Sequence, residues 1–459
     1  MPNVNNMTQC ALLIAAGLQD LVLVADSDAY IERQASYWAA NVPLRPTCIV
    51  QPRTTDEVSQ VVEILADADG LLALRSGGHT QWAGSNDVHN GVTIDLGRMI
   101  DVTYDAHSGL ASLQPGPKWA DVYFQLLEHR VCVTGGREGN VGVVGFLTRG
   151  GNSYYAGLHG LGCDNVANFE VVLANGDIIN ANATSHSDLW TALKGGSGNF
   201  GIVTRFDISE GDRLAELTVD FTNTNHKNPE TAFILNHSYN AASGSDVLVA
   251  HIVVDIDGTA NPMAFDEILK VPVVLNDVST RSMANMSASY NLPRHQQQVW
   301  FSLTFKNDAR VIKKATELHD DLVNELKIVL PIGNFSTQCL FQPMPTLFAE
   351  HSVRRGGNIL GLDQVKENTL LWLLVGSTQT VKESEVMRAK ITALKNALEE
   401  FTRREDLNVD WQYLNYVDET QQPLESYGNE NVAFLRAVAK KHDSTGIFQN
   451  KFMLFFPLA

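Results

Sequence analysis

The stretch Arg75-Ser76-Gly77-Gly78-His79-Thr80-Gln81-Trp82-Ala83-Gly84 constrains this chain more than any other. The apolar run Leu71 to Leu74 reads as a strand that delivers the backbone into two adjacent glycines. Lacking Cβ, glycine lets successive N–H groups turn inward and form a nest for an anion. Upstream, Cys48 to Val50 is a short apolar strand closed by Pro52, and Thr54 with Glu57 makes a capping box ahead of a helix from Val58 to Ala66. The result is a strand, helix, strand unit with its glycine loop at the carboxyl end of the second strand, where open α/β sheets place ligands. By itself Ser-Gly-Gly is ordinary turn chemistry, and a loop histidine is commonly a hydrogen-bonded bystander.

A second loop, Thr134 to Gly145, carries Gly135, Gly136, Gly139, Gly142 and Gly145 and runs on to Arg149-Gly150-Gly151-Asn152-Ser153. A flexible spacer is poor in Val, Phe and Leu, and this segment is not. Such backbone is suited to lying along an extended ligand. Gly196 to Gly201 satisfies G-x-G-x-x-G, but a helix precedes it and a strand follows, the reverse of a dinucleotide fingerprint. Gly196-Ser197-Gly198-Asn199 fails as a nucleophile elbow because Asn199 breaks the motif.

Arg75-Ser76-Gly77-Gly78-His79 resembles the signature of flavoenzymes related to vanillyl-alcohol oxidase, in the berberine bridge enzyme-like branch. Asp164-Asn165-Val166, Phe169 to Leu173, Trp411 to Tyr416 and Asp443 to Phe448 continue the likeness, which covers residues 20–205 and 405–449. It implies an α+β fold: a PCMH-type FAD-binding domain of two α/β subdomains, plus a substrate domain with an antiparallel sheet flanked by helices. The expected division is 1–210 for the FAD-binding domain (core about 45–210), 211–404 for the substrate domain and 405–459 for a segment returning to the first.

The resemblance implies covalent FAD, held by an 8α-histidyl bond at His79. It also implies cofactor contacts from Arg75, Ser76, Gly77, Gly78, Thr80, Gln81, Gly84, Ser85, Gln114, Gly135, Gly136, Gly139, Asn140, Val141, Gly142, Gly145, Gly150, Gly151, Asn152, Ile202, Val203 and Asn415. Many relatives have a second link through a cysteine three residues before the valine of Val141-Gly142-Val143. That position is Glu138 here, which cannot form a thioether, so a single attachment is expected.

Tyr416 aligns with the tyrosine that serves several relatives as base, and Tyr413 is a weaker candidate. A phenol ordinarily titrates near 10, so such a base needs nearby positive charge or hydrogen bonding. Some relatives have a tyrosine two residues beyond the histidine, where this chain has Gln81. In relatives a small residue at the position of Val141 leaves room for dioxygen, so the resemblance implies an oxidase that yields H2O2. The alternative is oxidative cyclisation, desaturation or rearrangement of a specialised metabolite. Trp300, Ser302, Thr304, Gln342, His351 and Trp372 are candidates to face the substrate, although alternate strand residues more often fill a core.

The remaining features bound the class. A chain of 459 residues divides into two or three domains, and its formal charge of −18 repels nucleic acid and anionic membrane surfaces. No uninterrupted apolar run of about 20 residues suggests a spanning helix. The run from Cys10 has no positive flank, poor form for a signal peptide, so the compartment stays open: intracellular, or secreted if a leader was removed. The five cysteines show no metal-ligand spacing, and no metal is expected. The resemblance is compatible with a Cys10–Cys48 disulfide, and free buried thiols are equally compatible with the spacing. The expected partners are a small-molecule substrate and dioxygen, in a monomer or homodimer.

Overall fold

The apolar runs that flank the first glycine loop find each other in a four-stranded sheet, β1 (Val22–Val24), β2 (Cys48–Val50), β3 (Leu72–Arg75) and β4 (Val92–Asp95), in the order β1-β2-β4-β3. β2 and β3 each run parallel to β4, and β1 is antiparallel to β2. The computed structural model describes residues 8–209 and 228–458, apart from 243, 245, 260, 261, 271, 272, 274, 291, 332, 454 and 455.

The crossover helix Thr55–Ala66 buries Val58, Val61, Val62 and Leu65, one face at helical spacing, and Thr54 caps it by accepting from the Glu57 N–H. The Glu57 carboxylate takes the Arg53 N–H at 2.6 Å rather than completing the box at Thr54. From the sequence, residues 7–40 read as helices ending at Asn41-Val42-Pro43, but Val22-Leu23-Val24 is a strand, because its β-branched residues gain backbone partners along Cys48–Val50. A disulfide joins Cys10 to Cys48 and ties the helix Gln9–Ala15 to β2.

The second sheet holds β5 (Val102–Asp105), β6 (Leu110–Leu113), β7 (Val166–Val172), β8 (Ile178–Asn182) and β9 (Ile202–Ser209), antiparallel throughout in the order β5-β6-β9-β7-β8. Asn175-Gly176 does mark the hairpin between β7 and β8. The turn is longer than a two-residue one, since Leu173 N–H closes it on Asp177 O at 2.9 Å with Gly176 at φ +85°.

The third sheet is antiparallel, with β10 (Thr231–Asn240), β11 (Leu248–Asp255), β12 (Gln297–Lys306), β13 (Phe335–Met344), β14 (Thr369–Thr378) and β15 (Asn408–Val409) in the order β11-β10-β13-β14-β12-β15. Its two-residue period sorts the side chains. Phe301, Leu303, Phe305, Trp372 and Leu374 pack under the helices Ala309–Val329 and Val381–Arg404. Trp300, Leu373 and Val375 face the opposite way, toward Trp38 and Tyr154. β10 and β13 carry polar residues at alternate positions and were not read from the sequence; Leu217–Phe221, a strand candidate in the sequence, lies outside the described residues.

The tail closes on the first sheet. Leu72 N–H donates to Lys451 O at 2.9 Å and Met453 N–H to Leu72 O at 2.8 Å, while Phe448 and Phe452 join the core of β2 to β4. The fold is therefore mixed α+β, and among the described residues no helix is long and apolar enough to cross a membrane.

Candidate active site

Where the two glycine loops meet the apolar face of the third sheet, a cavity of about 150 Å³ opens. Of the residues expected from sequence, His79, Gln81, Gly136, Val141, Asn152, Tyr413, Asn415 and Tyr416 line it. So do Trp38, Arg137, Glu138, Phe146, Tyr154, Tyr290, Trp300 and Gln342, while Ile234, Leu340, Leu373 and Val375 form an aliphatic wall.

His79 is held by a stack and a charge. Its ring lies 4.3 Å from the Trp38 ring at 14°, and its Nε2 stands 3.3 Å from Glu138 Oε2, close enough for an ion pair but not aligned as a hydrogen bond. Asn140 fixes Glu138 from the other side, donating from N to Oε2 and from Nδ2 to Oε1, both at 3.0 Å. Burial pushes the Glu138 carboxyl up, but His79 and the Asn140 donors outweigh it and leave the pKa below the ordinary value.

Tyr416 projects from the returning tail. Arg137 Nη2 donates to its hydroxyl at 2.6 Å and to Gln342 Oε1, also at 2.6 Å. Among the described residues no carboxylate lies within ion-pair distance of Arg137. Burial works against the guanidinium charge, and the hydroxyls of Tyr416, Tyr154, Tyr413 and Tyr290 around it offset that and raise its pKa. Tyr413 is differently used: its hydroxyl takes Gly151 N–H at 3.1 Å, Asn152 N–H at 2.7 Å and Asn415 Nδ2 at 3.0 Å, and burial raises its pKa. That hydroxyl holds the second loop in place.

Several expected cofactor residues point elsewhere. Arg75 spends its donors on Arg33 O at 2.8 Å and Ser36 Oγ at 2.7 Å and stacks over Tyr37, so its side chain braces the scaffold under the loop. Gln114 accepts from Asp101 N–H at 2.9 Å in the turn between β4 and β5, and Ile202 and Val203 are core residues of β9. Of the substrate candidates, Trp300 and Gln342 reach the cavity. Trp372 lies on the helix side, Ser302 bonds Trp372 O, and His351 bonds Gly157 O. Neither Ser302 nor Thr304 lines the cavity.

Arg137 escaped sequence reasoning although it sits between Gly136 and Glu138; a cation inside a glycine loop was a usable signal. Trp38 and Tyr290 gave none, being distant in the chain from both loops.

The loops fit a dinucleotide such as FAD. Gly77 and Gly142 face each other so closely that a Cβ at 77 would lie 2.6 Å from Gly142 Cα, and Gly145 has nothing within 4 Å of the Cβ position. Thr80 Oγ1 is buried without a partner among the described residues. Arg149 reaches only hydroxyls, Ser197 Oγ at 3.1 Å and Ser85 Oγ at 3.4 Å, and burial lowers its pKa to about 10. A buried guanidinium with no carboxylate among the described residues suits a diphosphate-bearing ligand.

Comparison with known proteins gives the same ligand. The family described as FAD binding domain matches residues 46–182. The FAD-dependent monooxygenase drtC of Aspergillus calidoustus is 33% identical over 96% of this chain and 88% of its own. Among solved structures, the xylooligosaccharide oxidase of Myceliophthora thermophila C1 in complex with xylobiose superposes with a TM-score of 0.75 at 20% identity, covering 98% of this chain and 99% of that one. The glucooligosaccharide oxidase of Acremonium strictum, described with 6-S-cysteinyl, 8 alpha-N1-histidyl FAD, gives 0.73 at 19% identity, covering 99% and 100%.

Proposed function

The chain belongs to the FAD-dependent oxidoreductases that carry an FAD binding domain, and from that premise we propose that it is of the berberine bridge enzyme-like branch of the vanillyl-alcohol oxidase superfamily and oxidises a hydroxyl- or amine-bearing carbon of a small apolar metabolite. Its cofactor is FAD. Under this reading residues 1–210 and 405–459 hold the FAD, residues 211–404 select the substrate, and His79 is the single attachment point.

Bound FAD supplies the hydride acceptor. Tyr416 takes the proton from the substrate hydroxyl or amine, and the observation that carries the proposal is its 2.6 Å bond from Arg137. A buried guanidinium donating to that oxygen fixes its position at the cavity and pairs with negative charge that develops on it. Trp38 and Trp300, edge to face at 5.8 Å, with the wall of Leu340, Leu373 and Val375, exclude water and favour an apolar skeleton over an oligosaccharide. Val141, a small side chain lining the cavity, leaves room for dioxygen, which takes the electrons as H2O2.

A second reading, transfer of an oxygen atom to the substrate, is favoured by the likeness to the monooxygenase drtC. Product mass separates the two readings: loss of two hydrogens with equimolar H2O2 supports the oxidase, and gain of one oxygen supports the monooxygenase. For the cofactor assignment, acid-precipitated protein is expected to stay yellow, and His79→Ala to release the pigment into the supernatant. Pigment still attached to His79→Ala would refute the attachment point.

A further inference from the structure

Glu138 stands where many relatives have their second flavin-linking cysteine, yet it is not idle. It is nearly buried beside a nearly buried histidine, with side-chain exposures of 8% and 9%, and both of its oxygens are oriented by Asn140. An oriented carboxylate facing one nitrogen of an imidazole fixes the tautomer and commits the other nitrogen as the nucleophile. Here Nε2 is the nitrogen that faces the carboxylate, an arrangement that favours the tautomer with its lone pair at Nδ1.

Resting on the reading that His79 is the attachment point, we propose that Glu138 is the positioning residue for covalent flavin attachment: it orients the His79 ring and neutralises the positive charge that ring acquires as Nδ1 bonds. In that step a C–N bond forms between Nδ1 and the methyl carbon of the flavin benzene ring. One methyl C–H and the imidazole N–H are lost. The electron pair and both protons pass to the flavin ring and from it to dioxygen, giving H2O2. At Nε2, 3.3 Å away and not aligned as a hydrogen bond, the carboxylate is placed to pair with the ring as it becomes cationic. The stack on Trp38 opposes rotation about Cβ–Cγ, which would tip the ring and carry Nε2 away from Glu138.

The test follows attachment, not turnover. Wild type, Glu138→Asp, Glu138→Gln, Glu138→Ala and His79→Ala are incubated with FAD in air, and the fraction of intact chain carrying one FAD is measured by mass against time. Glu138→Gln and Glu138→Ala are expected to attach about tenfold to a hundredfold more slowly than wild type, the range seen when carboxylates that orient histidine are removed. Glu138→Asp should recover much of the rate. Tight non-covalent FAD in the slow variants, read by flavin fluorescence quenching, shows that they fold. Attachment at the wild-type rate in Glu138→Gln and Glu138→Ala overturns the role of Glu138 and leaves the His79 reading standing. A wild-type mass equal to the bare polypeptide sinks both.

Discussion

Gly77→Ala tests whether the two glycine loops form one cradle. The new Cβ would lie 2.6 Å from Gly142 Cα and 2.8 Å from Gly142 N, and the reciprocal change at 142 meets Gly77 Cα and N at 2.7 Å. Carbon atoms rest about 3.5–4.0 Å apart, so the loops must part by about 1 Å. Neither loop can yield cheaply. Gly78 O is held by Trp38 N–H at 3.1 Å, Ser76 Oγ by Pro115 O at 2.6 Å, and Val143 N–H by Pro117 O at 3.4 Å. Overpacking of this kind costs about 1–3 kcal/mol, and opposing backbone on both sides puts it near 3. That corresponds to a fall in Tm of roughly 3–5 °C and about a hundredfold weaker FAD capture. Because either methyl alone separates the loops, the Gly77→Ala/Gly142→Ala double variant should lose clearly less than the sum of the singles. Gly145→Ala, with nothing within 4 Å of its new Cβ, should leave the Tm of the flavin-free chain unchanged or higher. Thermal unfolding checks all four, followed by flavin fluorescence for the first three and by circular dichroism for the flavin-free Gly145→Ala chain. A Gly77→Ala protein with wild-type Tm and full flavin content would refute the cradle.

Three further outcomes follow from the same geometry. Tyr416→Phe removes the hydroxyl that Arg137 donates to at 2.6 Å, so it should keep its flavin while anaerobic flavin reduction slows about 10²–10⁴-fold; turnover at the parent rate means that another group is the base. Val141→Leu fills space beside the loop and should slow reoxidation by dioxygen in stopped flow without altering anaerobic reduction, and an unchanged reoxidation rate refutes the access argument. Lys194 is fully buried with Nζ 3.3 Å from the Trp190 ring centroid, and burial, partly opposed by Cys163 and Asp164, lowers its pKa to about 8 from 10.5. The unfolded chain therefore binds the extra proton between those values, so this lysine costs stability in full below pH 8, and the cost fades as pH rises toward 10.5. Lys194→Met should stabilise by on the order of 3 kcal/mol at pH 7 and by little at pH 10.5 in denaturant titrations; an equal effect at both pH values contradicts the sign.

Much of the first sheet was legible because its cues are local. Strand, cap, helix and glycine loop follow one another within Cys48 to Gly84, and each is decided by neighbours in sequence. β10 and β13 were not legible, since their polar alternate residues, Asn236, Gln338 and Gln342 among them, look like surface until another sheet face encloses them. β1 was misread for a related reason: three residues have no strand signal until Cys48–Val50 lies alongside.

The glycine loops, the histidine within the first of them and the glutamate in place of a linking cysteine are set by sequence alone, because backbone freedom and functional-group chemistry belong to single residues. Which groups act on one another was decided by tertiary structure. Gly77 meets Gly142, Glu138 meets His79 and Arg137 meets Tyr416 across 65, 59 and 279 positions of chain, where no local rule reaches. Those meetings depend on three separate sheets closing over one cavity, and burial there is what turns a guanidinium, a phenol and a carboxylate into interacting charges.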